Sequence, residues 1–265
     1  MNTRVTLFLP GDSWLHRLDP RAKLLAVLLA GTVGLLYKHI GVLAALLVLA
    51  HLVLLSTGIP ARRLGWLWLR LSPLLLMILI LQPLFASGAG PALVRLGPVS
   101  ITLGGVLEAV SFVLRAASLT FVAATLLLTT DPADLVQGLV KMGLPYSWGL
   151  TVGLAIRYLP TIYGLFGSVQ EAQQARGWMA DQPNLVKRVR AYLPVLVATI
   201  IGALRLSDNL GLALAARGLG YPARRTALRD VQFTPTDWAV VGLAVALFGL
   251  CLVGRWALGF GAAPW

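Results

Sequence analysis

The chain has 265 residues, of which 58% are hydrophobic and only 12% are charged, about half the charged fraction of a soluble domain. Together with a mean hydropathy of +0.81, this composition predicts an integral membrane protein. The formal net charge of +12 is typical of cytoplasmic loops rich in Lys and Arg, so no nucleic-acid partner is inferred. The single cysteine, Cys251, excludes an intramolecular disulfide.

Four apolar segments in the first half of the chain are interpreted as membrane crossings. Asp19 and Pro20 predict a helix start at the interface before the first segment, because a carboxylate N-cap precedes proline at the first helical position. Basic residues there and in the loop at residues 60–63 place both regions in the cytoplasm. Trp66 and Trp68 stand where interfacial aromatic side chains are expected. The segments cover residues 24–37, 40–57, 64–85 and 101–128, with an external loop expected at 87–100.

Two charged residues, Glu108 and Arg115, lie inside the fourth crossing. They are seven residues apart and therefore share one helical face. Each costs about 2.5–3.5 kcal/mol at the centre of a membrane helix, so their presence requires a reason. An ion path is one interpretation, and a structural pair or a polar contact with another helix is the other. Two groups without a further carboxylate favour the structural interpretation.

A second helix start is predicted at Asp131 and Pro132, again a carboxylate N-cap followed by proline. The helix that they begin, at residues 133–142, is too short to span a bilayer and contains Lys141. We therefore expect it to lie at the cytoplasmic surface and to end at Gly143.

Two longer segments, beginning near Tyr146 and Tyr192, are apolar at first and polar towards their ends. Both are flanked by basic residues on each side, which favours long helices that do not cross the membrane completely. Pro160 and Pro194 lie in the early part of each helix and predict kinks.

Each of these helices ends in the same tripeptide. The first copy is Ala175, Arg176 and Gly177, and the second is Ala216, Arg217 and Gly218. Both glycines fit a left-handed helix end, and an arginine in the last turn complements the helix dipole. The distance from Pro160 to Arg176 is 16 residues and that from Pro194 to Arg217 is 23, a difference of two helical turns. The tripeptides are therefore either simple helix caps or a pair of contact points.

A final crossing at residues 237–258 completes an all-α integral membrane protein with about five transmembrane helices. An internal N-terminus then places Trp265 outside, although Arg255 near the outer end fits this topology poorly. Three domains are predicted. Residues 1–130 contain transmembrane helices 1–4, and residues 231–265 contain the last transmembrane helix. Residues 131–230 between them form a cytoplasmic-side domain with the short interfacial helix and two long crossing helices.

Sequence motifs for catalysis are missing from the chain. It contains no Gly-rich phosphate loop, no nucleophile elbow and no metalloprotease helix. His16, His39 and His51 are scattered without a cysteine or carboxylate at metal-ligand spacing. We therefore predict no catalytic residues, no bound metal and no enzymatic activity.

In the order of its motifs the chain resembles the transmembrane T component, the EcfT family, of energy-coupling factor (ECF) transporters. These ABC-type transporters take up vitamins and metal ions across the cytoplasmic (inner) cell membrane. The resemblance extends over nearly the whole chain. It rests on Leu15 to Leu24, on Thr130 to Tyr146 and on the two Ala-Arg-Gly motifs.

The resemblance implies a role for the paired arginines. In this family the two motifs end coupling helices that dock on two ABC ATPase subunits, and the T component also holds a membrane-embedded substrate-binding S component. Arg176 and Arg217 would then each engage one ATPase. No cofactor would bind this chain directly, since ATP would be held by the partner subunits. The transported substrate would be determined by the S component.

Two other classes of function remain possible at this point. A conventional ABC importer permease would bind substrate itself and carry a Glu-Ala-Ala docking loop, of which only Glu171 and Ala172 are found here. A membrane channel or enzyme unrelated to ABC transport would need a converging set of ionisable groups, and Glu108 with Arg115 is too few. Copurification with two ATPase chains separates the coupling function from both.

Overall fold

The structure is a computed structural model that describes residues 11–85, 92–96, 99–179, 184–220 and 233–258. Contacts divide the chain into a larger unit, Leu7–Gly143 with Val231–Trp265, and a smaller unit, Met1–Thr6 with Leu144–Asp230. The elements in chain order are α1 (Trp14–Arg17), α2 (Pro20–Leu36), α3 (Ile40–Ser56), α4 (Ala61–Phe85), β1 (Ala92–Leu96), β2 (Val99–Thr102), α5 (Leu103–Thr129), α6 (Pro132–Lys141), α7 (Tyr146–Ala175), α8 (Leu185–Ala216) and α9 (Pro235–Leu258).

The predicted all-α membrane fold is confirmed, and the structure adds one short pair of strands. Strands β1 and β2 form an antiparallel pair in the region expected to be an external loop. The boundary after Gly143 assigns α6 to the larger unit, whereas the sequence grouped residues 131–230 together. The predicted external end at Trp265 lies outside the described residues.

Helix α5 is the centre of the larger unit, because it packs against α2, α3 and α4. Its Phe121 is fully buried and contacts the ring of His51 with centroids 4.1 Å apart. The indole of Trp68 donates a 3.0 Å hydrogen bond to Nε2 of His51. Trp68 therefore packs towards the core, whereas Trp66 is exposed, and the interfacial position of both stays a prediction.

A group of buried polar residues at one end of the larger unit, here called the Asp19 layer, consists of Asp19, Lys23, Thr129 and Asp237. Asp19 caps α2 by accepting a hydrogen bond from the amide of Arg21 at 2.9 Å. Lys23 is only 5% exposed, and its ammonium donates to the carbonyl of Thr129 at 3.1 Å. The Asp19 layer thus joins the starts of α2 and α9 to the end of α5.

A second group of polar contacts surrounds the end of α2 and is called the Arg115 layer, consisting of Tyr37, Arg115 and Arg255. Arg115 of α5 donates to the carbonyl of Tyr37 at 2.7 Å, and Arg255 of α9 donates to the carbonyl of Leu36. The hydroxyl of Tyr37 donates to the carbonyl of Cys251 at 2.5 Å. Two arginines from different helices therefore satisfy the terminal carbonyls of α2, which have no partner within the helix.

The separation of the two layers matches the thickness of a bilayer. From Asp19 to Leu36 α2 rises about 26 Å, and from Asp237 to Arg255 α9 rises about 27 Å, at 1.5 Å per residue. The hydrocarbon core of a membrane is about 30 Å thick. The separation predicts that Arg115 and Arg255 lie near a membrane interface and not at its centre, a position that would also suit Arg255 in the predicted topology.

Within the residues that the structure describes, five helices are long and apolar enough to cross a membrane: α4, α5, α7, α8 and α9. The number agrees with the prediction, but the set differs. Helices α2 and α3 have only 17 residues each, and α7 and α8 are the helices expected not to cross. Length and composition do not decide whether α7 and α8 cross, so their shallow position stays a prediction.

The smaller unit is built on α7 and α8, which pack against each other. A Cβ at Gly202 of α8 would lie 2.9 Å from the side chain of Leu165 in α7. Beyond the end of α7, the indole of Trp178 donates to the carbonyl of Ala191 in α8 at 2.5 Å. Trp178 contacts Ala191, whereas Leu165, which comes earlier in the chain than Trp178, lies against Gly202, which comes later than Ala191. The two helices therefore run in opposite directions.

Candidate functional site

The two Ala-Arg-Gly tripeptides occupy the same positions at the ends of α7 and α8, and we call them the first and second tips. Arg176 is the C-cap of α7 with φ −91° and ψ 12°, and Arg217 is the C-cap of α8 with φ −89° and ψ 12°. Gly177 and Gly218 follow with φ +85° and +76°. The predicted left-handed glycine at each helix end is therefore confirmed.

Both tips close with the same pair of hydrogen bonds. At the first tip the amide of Gly177 donates to Gln174 and that of Trp178 donates to Gln173, each at 2.9 Å. At the second tip the amide of Gly218 donates to Ala215 and that of Leu219 donates to Leu214, again each at 2.9 Å. These are the two bonds of a Schellman motif, in which glycine avoids the penalty of the left-handed conformation.

The side chains of both arginines are exposed to solvent. Each belongs to the C-cap residue of its helix, where a cation complements the negative end of the helix dipole. A guanidinium in this position retains donors for a partner, because it presents five N–H groups in a rigid planar arrangement. The geometry thus gives two equivalent exposed cationic contact points.

Trp178 fixes the position of the first tip relative to α8, and the sequence did not identify it. Besides its bond to Ala191, its ring packs edge-on against Tyr192 with centroids 5.1 Å apart. The signal available in the sequence was its position directly after Gly177, where a Schellman motif often makes an apolar contact. Arg217 lies 25 residues beyond Tyr192, which corresponds to about 38 Å of helix. The two tips are therefore at opposite ends of the helix pair.

The start of α8 adds positive charge near the first tip. Lys187 and Arg190 are exposed, and residues 184–207 contain no acidic side chain. Cations at a helix N-terminus oppose the helix dipole, so they do not stabilise α8 itself. Their position beside Trp178 makes the first tip more basic than its own arginine alone would.

The other predicted residues lie where the sequence placed them. Asp19 and Asp131 are N-caps, with Pro20 and Pro132 at the first helical positions, and Asp131 accepts from the amide of Ala133 at 2.8 Å. Both α7 and α8 continue through their prolines, Pro160 and Pro194. The kinks expected there remain a prediction.

The two charged residues of α5 are not a pair. Glu108 makes no salt bridge with Arg115, which instead contacts α2, so the structural interpretation of Arg115 is supported. Within the described ranges, no group of three or more His, Cys, Asp or Glu side chains could hold a metal ion.

Comparison with known proteins agrees with the arrangement of these motifs. The family model CbiQ, described as cobalt transport protein, matches residues 11–227. Several curated relatives carry the name energy-coupling factor transporter transmembrane protein EcfT. One from Limosilactobacillus fermentum is 32% identical over 96% of this chain and 99% of the relative. One from Acidaminococcus fermentans is 31% identical over 97% and 99%, and one from Brevibacillus brevis is 29% identical over 96% and 98%.

The matches to the relatives cover nearly the full length of this chain and of each relative, and they include the capped helix starts and both tips. Together with the apolar helices they establish a multi-pass protein of the cell membrane. The chain belongs to the EcfT family of energy-coupling factor transporter transmembrane proteins.

Proposed function

We propose that this chain is the transmembrane coupling subunit of an ECF transporter and that its two tips each bind one of two ABC ATPase subunits. In this proposal, closure of the ATPases on ATP moves α7 and α8, and these helices transmit the motion to a substrate-binding S component. The transported substrate is a vitamin or a metal ion bound by that subunit. The coupling subunit itself performs no chemistry, and ATP is bound and hydrolysed by its partners.

The observation that carries this proposal is the equivalence of the two tips. Arg176 and Arg217 share backbone angles within 2°, glycines of the same hand follow, and the closing hydrogen bonds are the same. One well-formed helix cap is an ordinary feature. Two matching caps, each presenting an exposed arginine, support two matching binding partners. Arginine suits such contacts, because its planar donors can hold a carboxylate or helix-end carbonyls in a bidentate manner.

The separation of the tips supports two partner molecules instead of one. The first tip lies beside Tyr192, and α8 then extends about 38 Å to the second tip. A groove on a single small domain would not reach both arginines at once, whereas two ATPase subunits side by side would.

An exposed apolar face on α8 supports a membrane-embedded partner as well. Gly202 faces Leu165 of α7, and Val195, seven residues earlier on the same face, is fully buried. The opposite face consists of exposed apolar side chains at helical spacing. They are Val186, Val189, Leu193, Val197, Ile200 and Leu204, between 50% and 73% exposed. A continuous apolar stripe of this length is covered by lipid or by another membrane protein.

The test of this proposal is a set of tip variants. Arg176→Ala and Arg217→Ala should each weaken assembly, because removing one side of a hydrogen-bonded charge pair costs about 2–5 kcal/mol. The double variant should no longer retain either ATPase. Lysine at these positions should rescue poorly, since it keeps the charge but loses the planar set of donors.

The measurements are ATPase copurification and substrate uptake. Arg205→Ala serves as the control, because it removes an exposed arginine from the same helix away from the tip. Normal assembly and uptake by the double variant would show that the tips are only helix caps, and the coupling role would then be wrong. Substrate binding by the chain alone would favour a conventional ABC importer permease instead.

A further inference from the structure

An apolar groove runs across the larger unit from the Asp19 layer towards the Arg115 layer. Its volume is about 460 Å³, and residues of α1, α2, α3, α5 and α9 line it. One end is formed by Trp14 and Lys23, and the other by Val33, Val42 and Cys251. Apart from Lys23 and two threonines, the lining side chains are apolar or aromatic. The groove therefore extends about 15 Å along α2, about half the thickness of the hydrocarbon core, and suits an apolar ligand.

The end of the groove formed by Val33, Val42 and Cys251 lies directly beside the cations of the Arg115 layer. Cys251 lines the groove, and its carbonyl accepts the hydrogen bond from Tyr37. The guanidinium of Arg255 lies 5.8 Å from the centre of the Tyr37 ring, one helical turn after Cys251. An anionic group at this position would thus stand immediately above an apolar channel.

The Arg115 layer carries more positive charge than the capping of α2 requires. The end of a helix has about half a negative charge, whereas Arg115 and Arg255 bring two positive charges and the exposed Lys38, next to the layer, brings a third. Among the described residues, neither arginine forms a salt bridge with a carboxylate. Glu108, two turns away on α5, does not pair with Arg115. The excess of positive charge at the interface would attract an anion.

The size of the groove favours an acyl chain over a helix as its apolar ligand. A helix with side chains is about 10 Å wide, so a segment of similar length would fill more than about 1,000 Å³. The groove is less than half that size. A single acyl chain is narrower, and a membrane supplies acyl chains continuously.

We propose that an acidic phospholipid binds here, with its phosphate at Lys38, Arg115 and Arg255 and one acyl chain in the groove. The site faces the leaflet at the Arg115 layer, which the distribution of basic residues places on the side away from the cytoplasm. The bound lipid fills the space between α3 and α9 over α2 and so stabilises the larger unit. This inference does not depend on the partners proposed above.

The experiment measures lipid binding to the purified full-length chain by native mass spectrometry. The probes are phosphatidylglycerol and phosphatidylcholine with identical acyl chains. We expect tighter binding of phosphatidylglycerol. Lys38→Gln and Arg255→Gln should each weaken that binding about fivefold, the factor corresponding to about 1 kcal/mol for one cation near an anionic surface. Arg62→Gln, at the opposite end of the unit, removes the same charge and should have no effect.

A second pair of variants tests the groove without disturbing the cap of α2. Ala244→Phe fills the groove from α9 and should reduce retention of both lipids. Ala246→Phe places the same ring on an exposed part of α9 outside the lining and should not. Equal affinity of the wild-type chain for both lipids, or unchanged retention in Ala244→Phe, would overturn the proposal.

Two further outcomes identify other ligands and would equally overturn it. If soluble glycerol phosphate competes as well as phosphatidylglycerol, the cations bind a free anion and the groove plays no part. If Ala244→Phe abolishes transporter assembly while lipid retention stays normal, the groove accepts a partner protein.

Discussion

The amide of Asp19 donates a 2.8 Å hydrogen bond to Oδ1 of Asp237, although the two residues are separated by 218 positions in the chain. The other oxygen of Asp237 accepts from the amide and the hydroxyl of Thr234, at 2.7 and 2.5 Å. Asp237 is only 1% exposed. One carboxylate therefore joins the start of the last helix to the start of α2.

We expect Asp237→Ala to destabilise the larger unit by about 2–4 kcal/mol, because it leaves buried donors of Asp19 and Thr234 without an acceptor. Asp237→Asn should cost less, since its amide oxygen still accepts one of these bonds. Thermal unfolding of the chain in detergent measures the difference, and Asp208→Ala, an exposed acid on α8, is the control. An equal cost for the three variants would contradict this role.

The glycines of the tips should be sensitive to substitution through their backbone alone. Nothing lies within 4 Å of a Cβ placed on Gly177 or Gly218, but both have positive φ. Alanine should therefore cost about 1–2 kcal/mol at each tip, and asparagine less. Faster amide hydrogen exchange in the last turn would report this effect.

Gly164 and Gly211 provide matched controls for the tip glycines. Each lies inside α7 or α8 with nothing within 4 Å of a placed Cβ, so alanine there should stabilise the helix by about 0.5–1 kcal/mol. A tip variant that behaves like these controls would show that the left-handed conformation is not required.

Pro160 and Pro194 should set the angle between α7 and α8. Each removes one backbone N–H from a helix that otherwise continues through it. We expect Pro160→Ala and Pro194→Ala to lower uptake while ATPase copurification persists. Pro73→Ala, in the interior of α4, controls for the loss of an interior helical proline. Equal loss of ATPase binding and uptake would argue against a specific effect on helix angle.

The topology predicted from the basic residues can be tested by labelling from outside the cell. In a Cys251→Ser background, a cysteine at Lys38, in the turn after α2, should react with an impermeant reagent. Cysteines at Asn184 and Arg62 should not react. The opposite pattern would invert the chain in the membrane and move the proposed lipid site to the cytoplasmic leaflet.

Local features of the fold could be predicted from the sequence because they depend on neighbouring residues. The caps at Asp19 and Asp131 and the left-handed Gly177 and Gly218 each follow from the chemistry of a few adjacent positions. Lys23 shows where this reasoning stops. It is one of the basic residues that place this end in the cytoplasm, and nothing in the sequence showed that its ammonium is buried against Thr129, 106 residues away.

Contacts between distant helices were beyond the sequence for the same reason. The role of Arg115 and Arg255 follows only from the folded structure, in which both donate to carbonyl groups at the end of α2. Trp178 likewise gains its role only when α7 and α8 run in opposite directions. Residue type and spacing restrict which groups need a partner, but packing decides which partner each one finds.

The matching tips give a single asymmetric polypeptide a local pseudo-symmetry. Helices α7 and α8 differ in length and in residues, yet they end in interchangeable backbone geometry. A pair of partners related by a twofold axis can therefore bind one chain through equivalent surfaces. Under the proposed function, the same chain serves two identical partners or two diverged copies equally well, because the common part of the proposed interface is a capped helix end and one guanidinium.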